Sequence, residues 1–63
     1  MNIKLELGKT YRNRKGEVRT IEFYVPGAVF CFIDNKGDIY TDQGNFGHDG
    51  KESQFDLIEL VED

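Results

Sequence analysis

The stretch KTYRNRKGEVRTIEFYV, residues 9–25, decides the fold. β-Branched and aromatic residues on both sides of Arg14-Lys15-Gly16 predict two strands, residues 9–13 and 17–25. The three residues between them predict a tight turn with glycine in the left-handed position. In the second strand Ile21, Phe23 and Val25 share one face, but Val18 falls on the other, so either both faces are covered or a bulge near residues 19–20 resets the alternation.

Glycines divide the rest of the chain into segments that are too short for stable helices and typical of strands joined by turns. The run AVFCFI is apolar on both faces, which predicts the central strand, with core on one side and a terminal segment or a partner chain on the other. For the core we expect Phe23, Leu57 and either Phe30 or Phe32. The predicted elements are strands at residues 28–33, 39–41 and 55–61, an edge segment at 45–46, turns at 26–27, 34–38 and 42–44, and one helical or 3₁₀ turn at 53–55, which Ser53 caps.

The whole chain, residues 1–63, is therefore predicted to be a single small domain of the all-β class. Five or six short antiparallel strands, with the last paired to the first, predict an SH3-like or OB-like barrel.

Charge is distributed unevenly along the sequence. Residues 1–20 hold six basic and two acidic residues, whereas residues 21–63 hold two basic and ten acidic ones, for a net charge of −4. The overall acidity disfavours general nucleic-acid binding, which depends on many cations that neutralise phosphates. A single cysteine, with no secretory signal, predicts a cytoplasmic protein, and no apolar run is long enough to span a membrane.

No set of residues predicts catalysis. Cys31 lies in the most apolar run and is expected to be buried and inert. His48 is the only histidine and stands in a glycine-rich loop. The oxygen-rich residues 42–52 lack the spacing of a calcium loop, so we expect a solvated loop. We predict no enzyme activity, no metal and no cofactor.

Two groups of residues are candidates for binding. A basic cluster, which consists of Arg12, Arg14, Lys15 and Arg19, surrounds the first turn. Arg12 and Arg19 are expected to meet at the neck of this turn, where they would clamp a phosphate or carboxylate. Protection of a sheet edge by charge is the alternative. Among the aromatic residues, Tyr24 and Tyr40 are expected to keep their hydroxyls at the surface, beside acids, as in protein interfaces. The predicted site residues are Arg12, Arg14, Lys15, Arg19, Tyr24 and Tyr40.

Three motifs resemble a family of very small proteins encoded by bacteriophages and prophages. They are Gly-Lys-x-Tyr-x-x-Arg-x-Gly from Gly8, Tyr-Thr-x-x-Gly-x-Phe from Tyr40 and Ser-x-x-Asp-Leu-Ile-Glu from Ser53. The resemblance covers most of the chain but not residues 24–31. It implies a binding protein rather than an enzyme, with a role against components of host defence.

We therefore expect a non-enzymatic binding module that assembles as a homo-oligomer, because the apolar and aromatic residues exceed what so small an interior holds. Its partner is expected to be a host defence protein that it inhibits, or a small anionic nucleotide signal that it sequesters. The alternatives are a nucleic-acid-binding small barrel and an acidic mimic of DNA.

Overall fold

The computed structural model describes residues 3–47 and 52–61, which form a five-stranded antiparallel sheet. Its strands are β1 (Thr10–Asn13), β2 (Val18–Tyr24), β3 (Phe32–Asp34), β4 (Ile39–Tyr40) and β5 (Leu57–Val61), in the order β4-β3-β2-β1-β5. The described residues contain no helix, and the sheet curls into a half-barrel. The prediction of a small all-β, barrel-like fold is confirmed.

The first hairpin forms as the sequence predicts. β1 pairs with β2 so that Tyr11 faces Arg19 and Arg12 faces Val18. Gly16 has a φ of 94°, as the left-handed turn position requires. Inside the turn the buried Asn13 side chain accepts the Glu17 N–H at 2.8 Å, which fixes the geometry that joins the two strands.

The last strand pairs with the first, as predicted. Tyr11 faces Leu60 and Arg12 faces Glu59, but Asn13 faces Leu57, so β5 holds one extra residue, Ile58. The turn before β5 is not helical. The Ser53 carbonyl accepts the Asp56 N–H at 3.1 Å, which closes a β-turn at the place where a helical turn was predicted.

A bulge interrupts β2 slightly beyond the predicted position. The β2–β3 register shifts between Ile21 and Phe23, so Glu22 is the extra residue on β2. Ile21 is fully buried, whereas Phe23 points to the opposite face and is 58% exposed. The assignment of Phe23 to the core is wrong because the bulge reverses the alternation after Ile21.

The prediction of a central strand at residues 28–33 is also wrong. β3 begins only at Phe32, and β2 occupies the centre of the sheet. The Val25 N–H donates to the Cys31 carbonyl at 2.7 Å, so the residues between them leave the ladder as a loop. Val29, in the middle of that loop, is 76% exposed. Residues 45–46 likewise form no strand.

The core lies on the concave face of the sheet. Phe32 and Leu57 belong to it as predicted, and Cys31 is buried as predicted, but Phe30 is only partly buried. The buried hydrophobic residues are Leu5, Tyr11, Ile21, Cys31, Phe32, Tyr40 and Leu57.

Gly44, in the turn after β4, lies in close contact with the start of β5. The Leu57 N–H donates to the Gly44 carbonyl at 2.8 Å. Gly44 has a φ of 87°, and a Cβ at this position would lie 2.7 Å from the Leu57 carbonyl oxygen. Only glycine allows the two segments to approach so closely.

Candidate functional site

The structure places Arg12 and Arg19 on neighbouring strands but on opposite faces. Tyr11, which faces Arg19, is buried on the concave side, and side chains alternate along a strand, so Arg12 points to the convex side. The two guanidinium groups therefore do not form the predicted clamp.

Each member of the basic cluster is paired with a carboxylate of its own chain. Arg12 bonds to Glu59 on β5. Arg14 lies 3.5 Å from Glu52 and 3.9 Å from the buried Asp56. The Lys15 amine lies 4.0 Å from the Glu17 carboxylate and 5.7 Å from the centre of the Phe55 ring. An incoming anion would have to compete with these carboxylates for every cation.

Arg19 and Tyr40 belong to a buried polar network. Both the Arg19 Nε, at 3.4 Å, and the Tyr40 hydroxyl, at 2.7 Å, approach Oδ2 of the fully buried Asp34. Burial, followed by the hydrogen bond to Asp34, raises the pKa of Tyr40 well above its usual range. The expectation that the Tyr40 hydroxyl lies at the surface is wrong, because this hydroxyl is buried in the half-barrel and donates a hydrogen bond to Asp34.

Asp34 also organises the turn between β3 and β4. Its Oδ1 accepts the Lys36 N–H at 2.8 Å and the Asp38 N–H at 3.0 Å. With both carboxylate oxygens hydrogen-bonded and its side chain closed to solvent, Asp34 has a structural role in this turn.

Of the two tyrosines predicted for the site, Tyr24 remains at the surface. It is 52% exposed, and its ring packs on Phe32 with 5.0 Å between the ring centres. Behind it opens a groove with a volume of about 800 Å³. Its lining consists of an apolar part, Leu5, Leu7, Tyr24, Ala28, Val29, Cys31 and Phe32, and a polar part, Lys4, Glu6, Thr41, Asp42, Gln43 and Asn45.

Hydrogen bonds hold the groove wall at residues 4–7. The Glu6 N–H donates to the Tyr11 hydroxyl at 2.8 Å, and that hydroxyl donates to the Lys4 carbonyl at 3.4 Å. The Leu5 N–H donates to the Asp42 carbonyl at 2.9 Å, which joins this wall to the groove-lining segment after β4. The groove is thus a formed part of the fold, with Leu7 left 57% exposed at its edge.

Residues 23–29, which we name the apolar hairpin, form the other groove wall and project beyond the sheet. Their sequence is FYVPGAV, without a charge, and all seven residues are exposed. Tyr24, Ala28 and Val29 face the groove, whereas Phe23 lies beside Ile33 on the convex face. This element was not predicted from the sequence, because residues 28–29 were assigned to a central strand. The uncharged run across Pro26-Gly27 was the available signal.

In the described ranges, 3–47 and 52–61, no three His, Cys, Asp or Glu side chains come together in a way that could hold a metal ion. His48 and Asp49, which the sequence analysis considered, lie outside the described residues. The described part of the chain also contains no helix with the length and apolar character to cross a bilayer.

No protein-family model, no curated protein and no solved structure matches this chain.

Proposed function

We propose that this chain is a non-enzymatic protein-binding module that acts through the hairpin–groove surface, meaning the apolar hairpin together with the groove behind it. The partner class that the resemblance to phage-encoded proteins implies is a host protein. The observation that carries the proposal is the exposure of seven consecutive uncharged residues beside a formed groove.

Exposure on this scale is costly unless a partner covers it. Single exposed apolar side chains are ordinary on protein surfaces, but contiguous patches usually mark interaction sites. Leu7, Tyr24 and Val29 are each more than half exposed and all line the same groove. Burial of such side chains is worth about 1.5–3 kcal/mol each when complete, so covering the patch supplies a substantial driving force.

A protein partner agrees better with this surface than a small anion or a nucleic acid. The hairpin carries no cation, and the cations of the basic cluster already face carboxylates. A site for a phosphate needs donors that are free to converge on it. An apolar centre with charged residues at its edge is the arrangement found in protein interfaces.

The test is photo-crosslinking in cells from two matched positions. A photoreactive amino acid replaces Val29 on the groove wall in one variant and Val18 on the convex face of β2 in the other. Both valines are exposed, at 76% and 45%. We expect protein adducts from position 29 and few from position 18. Equal adduct patterns from both positions, or native mass spectra of the purified protein that show a retained nucleotide and no protein, contradict the proposal.

A further inference from the structure

We infer that a second copy of this chain covers the hairpin–groove surface, with the apolar hairpin of each copy lying in the groove of the other. This inference rests on the protein-binding function proposed above and identifies a second copy of the chain as the partner of that surface. Any other protein that binds the hairpin–groove surface then competes with the second copy.

Shape is the first reason. The hairpin projects, is apolar on both faces and lies next to a groove that it helps to line. In a dimer with a two-fold axis every contact is made twice. If the hairpin of one copy lies in the groove of its partner, the partner's hairpin therefore lies in the groove of the first copy. One projecting and one concave element on the same side of the molecule therefore complement each other in a closed dimer.

The exposed area agrees with the requirement of a dimer. Leu7, Tyr24 and Val29 are each more than half exposed, and Val25 adds to them, which leaves on the order of 300 Å² of apolar surface. A standard interface covers about 800 Å² on each partner, of which somewhat more than half is apolar, roughly 450 Å². This patch supplies most of that amount without any rearrangement of the core.

Charge is the third reason. The rim of the groove carries one amine, from Lys4, and two carboxylates, from Glu6 and Asp42. None of these side chains forms an ion pair within the part of the chain that the structure describes. A two-fold contact sets the amine of each copy against the carboxylates of the other, while the centre of the interface, formed by the hairpins, is uncharged.

The first experiment measures the mass of the purified protein by size-exclusion chromatography with light scattering over a dilution series. We expect twice the chain mass of 7.3 kDa at high-micromolar concentration. Val29→Asp places a carboxylate in the apolar contact and is expected to weaken the dimer at least about tenfold. Val18→Asp makes the same change outside the contact and is expected to leave the dimer intact. Both positions are exposed, so both variants are expected to fold.

The second experiment tests the reciprocal arrangement by mixing. Leu7→Lys alters the groove, Val29→Asp alters the hairpin, and each variant alone is expected to be monomeric. In the mixture one contact is native and the other joins the new lysine to the new aspartate, so a heterodimer is expected to form. Recovery of the dimer mass only on mixing supports this geometry.

Three results overturn the inference. They are a wild-type protein that stays monomeric at every concentration, a Val18→Asp variant that dissociates as readily as Val29→Asp, and a mixture that does not regain the dimer. A monomer that still crosslinks from position 29 to a different protein overturns the second copy as partner and leaves the proposed function standing.

Discussion

Replacement of Gly44 by alanine tests the contact that closes the half-barrel. Gly16 supplies a matched control, because both glycines have a φ near +90° but only Gly44 faces a neighbour where the Cβ would lie. In Gly16→Ala the cost is that of the left-handed conformation, about 1–2 kcal/mol. In Gly44→Ala the new methyl would also lie 2.7 Å from the Leu57 carbonyl oxygen and 3.3 Å from the Leu57 Cβ.

That clash forces the two segments apart and strains the bond in which the Gly44 carbonyl accepts the Leu57 N–H at 2.8 Å. A buried hydrogen bond that is lost in this way costs a further 1–3 kcal/mol or so. We therefore expect Gly44→Ala to lose roughly 2–5 kcal/mol of unfolding free energy and Gly16→Ala to lose clearly less.

Urea unfolding followed by far-ultraviolet circular dichroism measures both variants against the wild type. A chain of this length has a small stability margin, so the series is run in a stabilising osmolyte that keeps all three proteins folded at zero urea. Equal losses for the two alanine variants would refute the account of Gly44 as the closure point.

Three further predictions concern the polar contacts. Tyr40→Phe removes the hydroxyl that donates to Asp34 at 2.7 Å and leaves a buried carboxylate with one donor fewer. We therefore expect urea unfolding to show a loss of about 1.5–3 kcal/mol of unfolding free energy, and an unchanged unfolding midpoint contradicts this. Because burial raises the pKa of Tyr40 above its ordinary value of 10.0, its contribution is complete below about pH 10 and declines as the pH rises further. The stability difference between wild type and Tyr40→Phe should therefore shrink above pH 10, and a constant difference would count against the buried hydroxyl. Arg12→Ala breaks an ion pair with Glu59, and both side chains of this pair are about half exposed. We expect the unfolding free energy to change by only about 0–1 kcal/mol and the dimer mass to stay the same. Loss of the dimer would instead place the interface on the convex face.

The sequence predicts the structure best where neighbouring residues determine the backbone conformation. Gly16 marks the first turn correctly, and the β-branched and aromatic residues beside it form β1 and β2. Leu57 is correctly assigned to a strand that pairs with β1, because an apolar segment of that length suits a strand better than a helix.

The failures come from contacts that no local pattern specifies. The hydroxyl of Tyr40 is buried because Asp34, on the adjacent strand, accepts its hydrogen bond. Phe23 is exposed because a single extra residue on β2, Glu22, reverses the alternation. Apolar composition suggested burial for Val29, yet the limited core of a 63-residue chain leaves that residue outside.

The same limit explains why several large apolar side chains are exposed in this structure. Apolar side chains exceed what the core encloses, and most of the surplus lies at the hairpin–groove surface rather than on a central strand. The basic cluster was less informative, because Glu59 and Glu52, which pair with Arg12 and Arg14, are distant from them in the sequence.

The most direct test of the hairpin–groove surface is a dilution series of amide correlation spectra of the wild-type protein. If a second copy of the chain binds this surface, the chemical shifts of the Leu7, Tyr24 and Val29 amides change with concentration, while that of the Val18 amide does not. Spectra that do not change with concentration, or changes centred on Val18 and its neighbours, would contradict self-association through this surface.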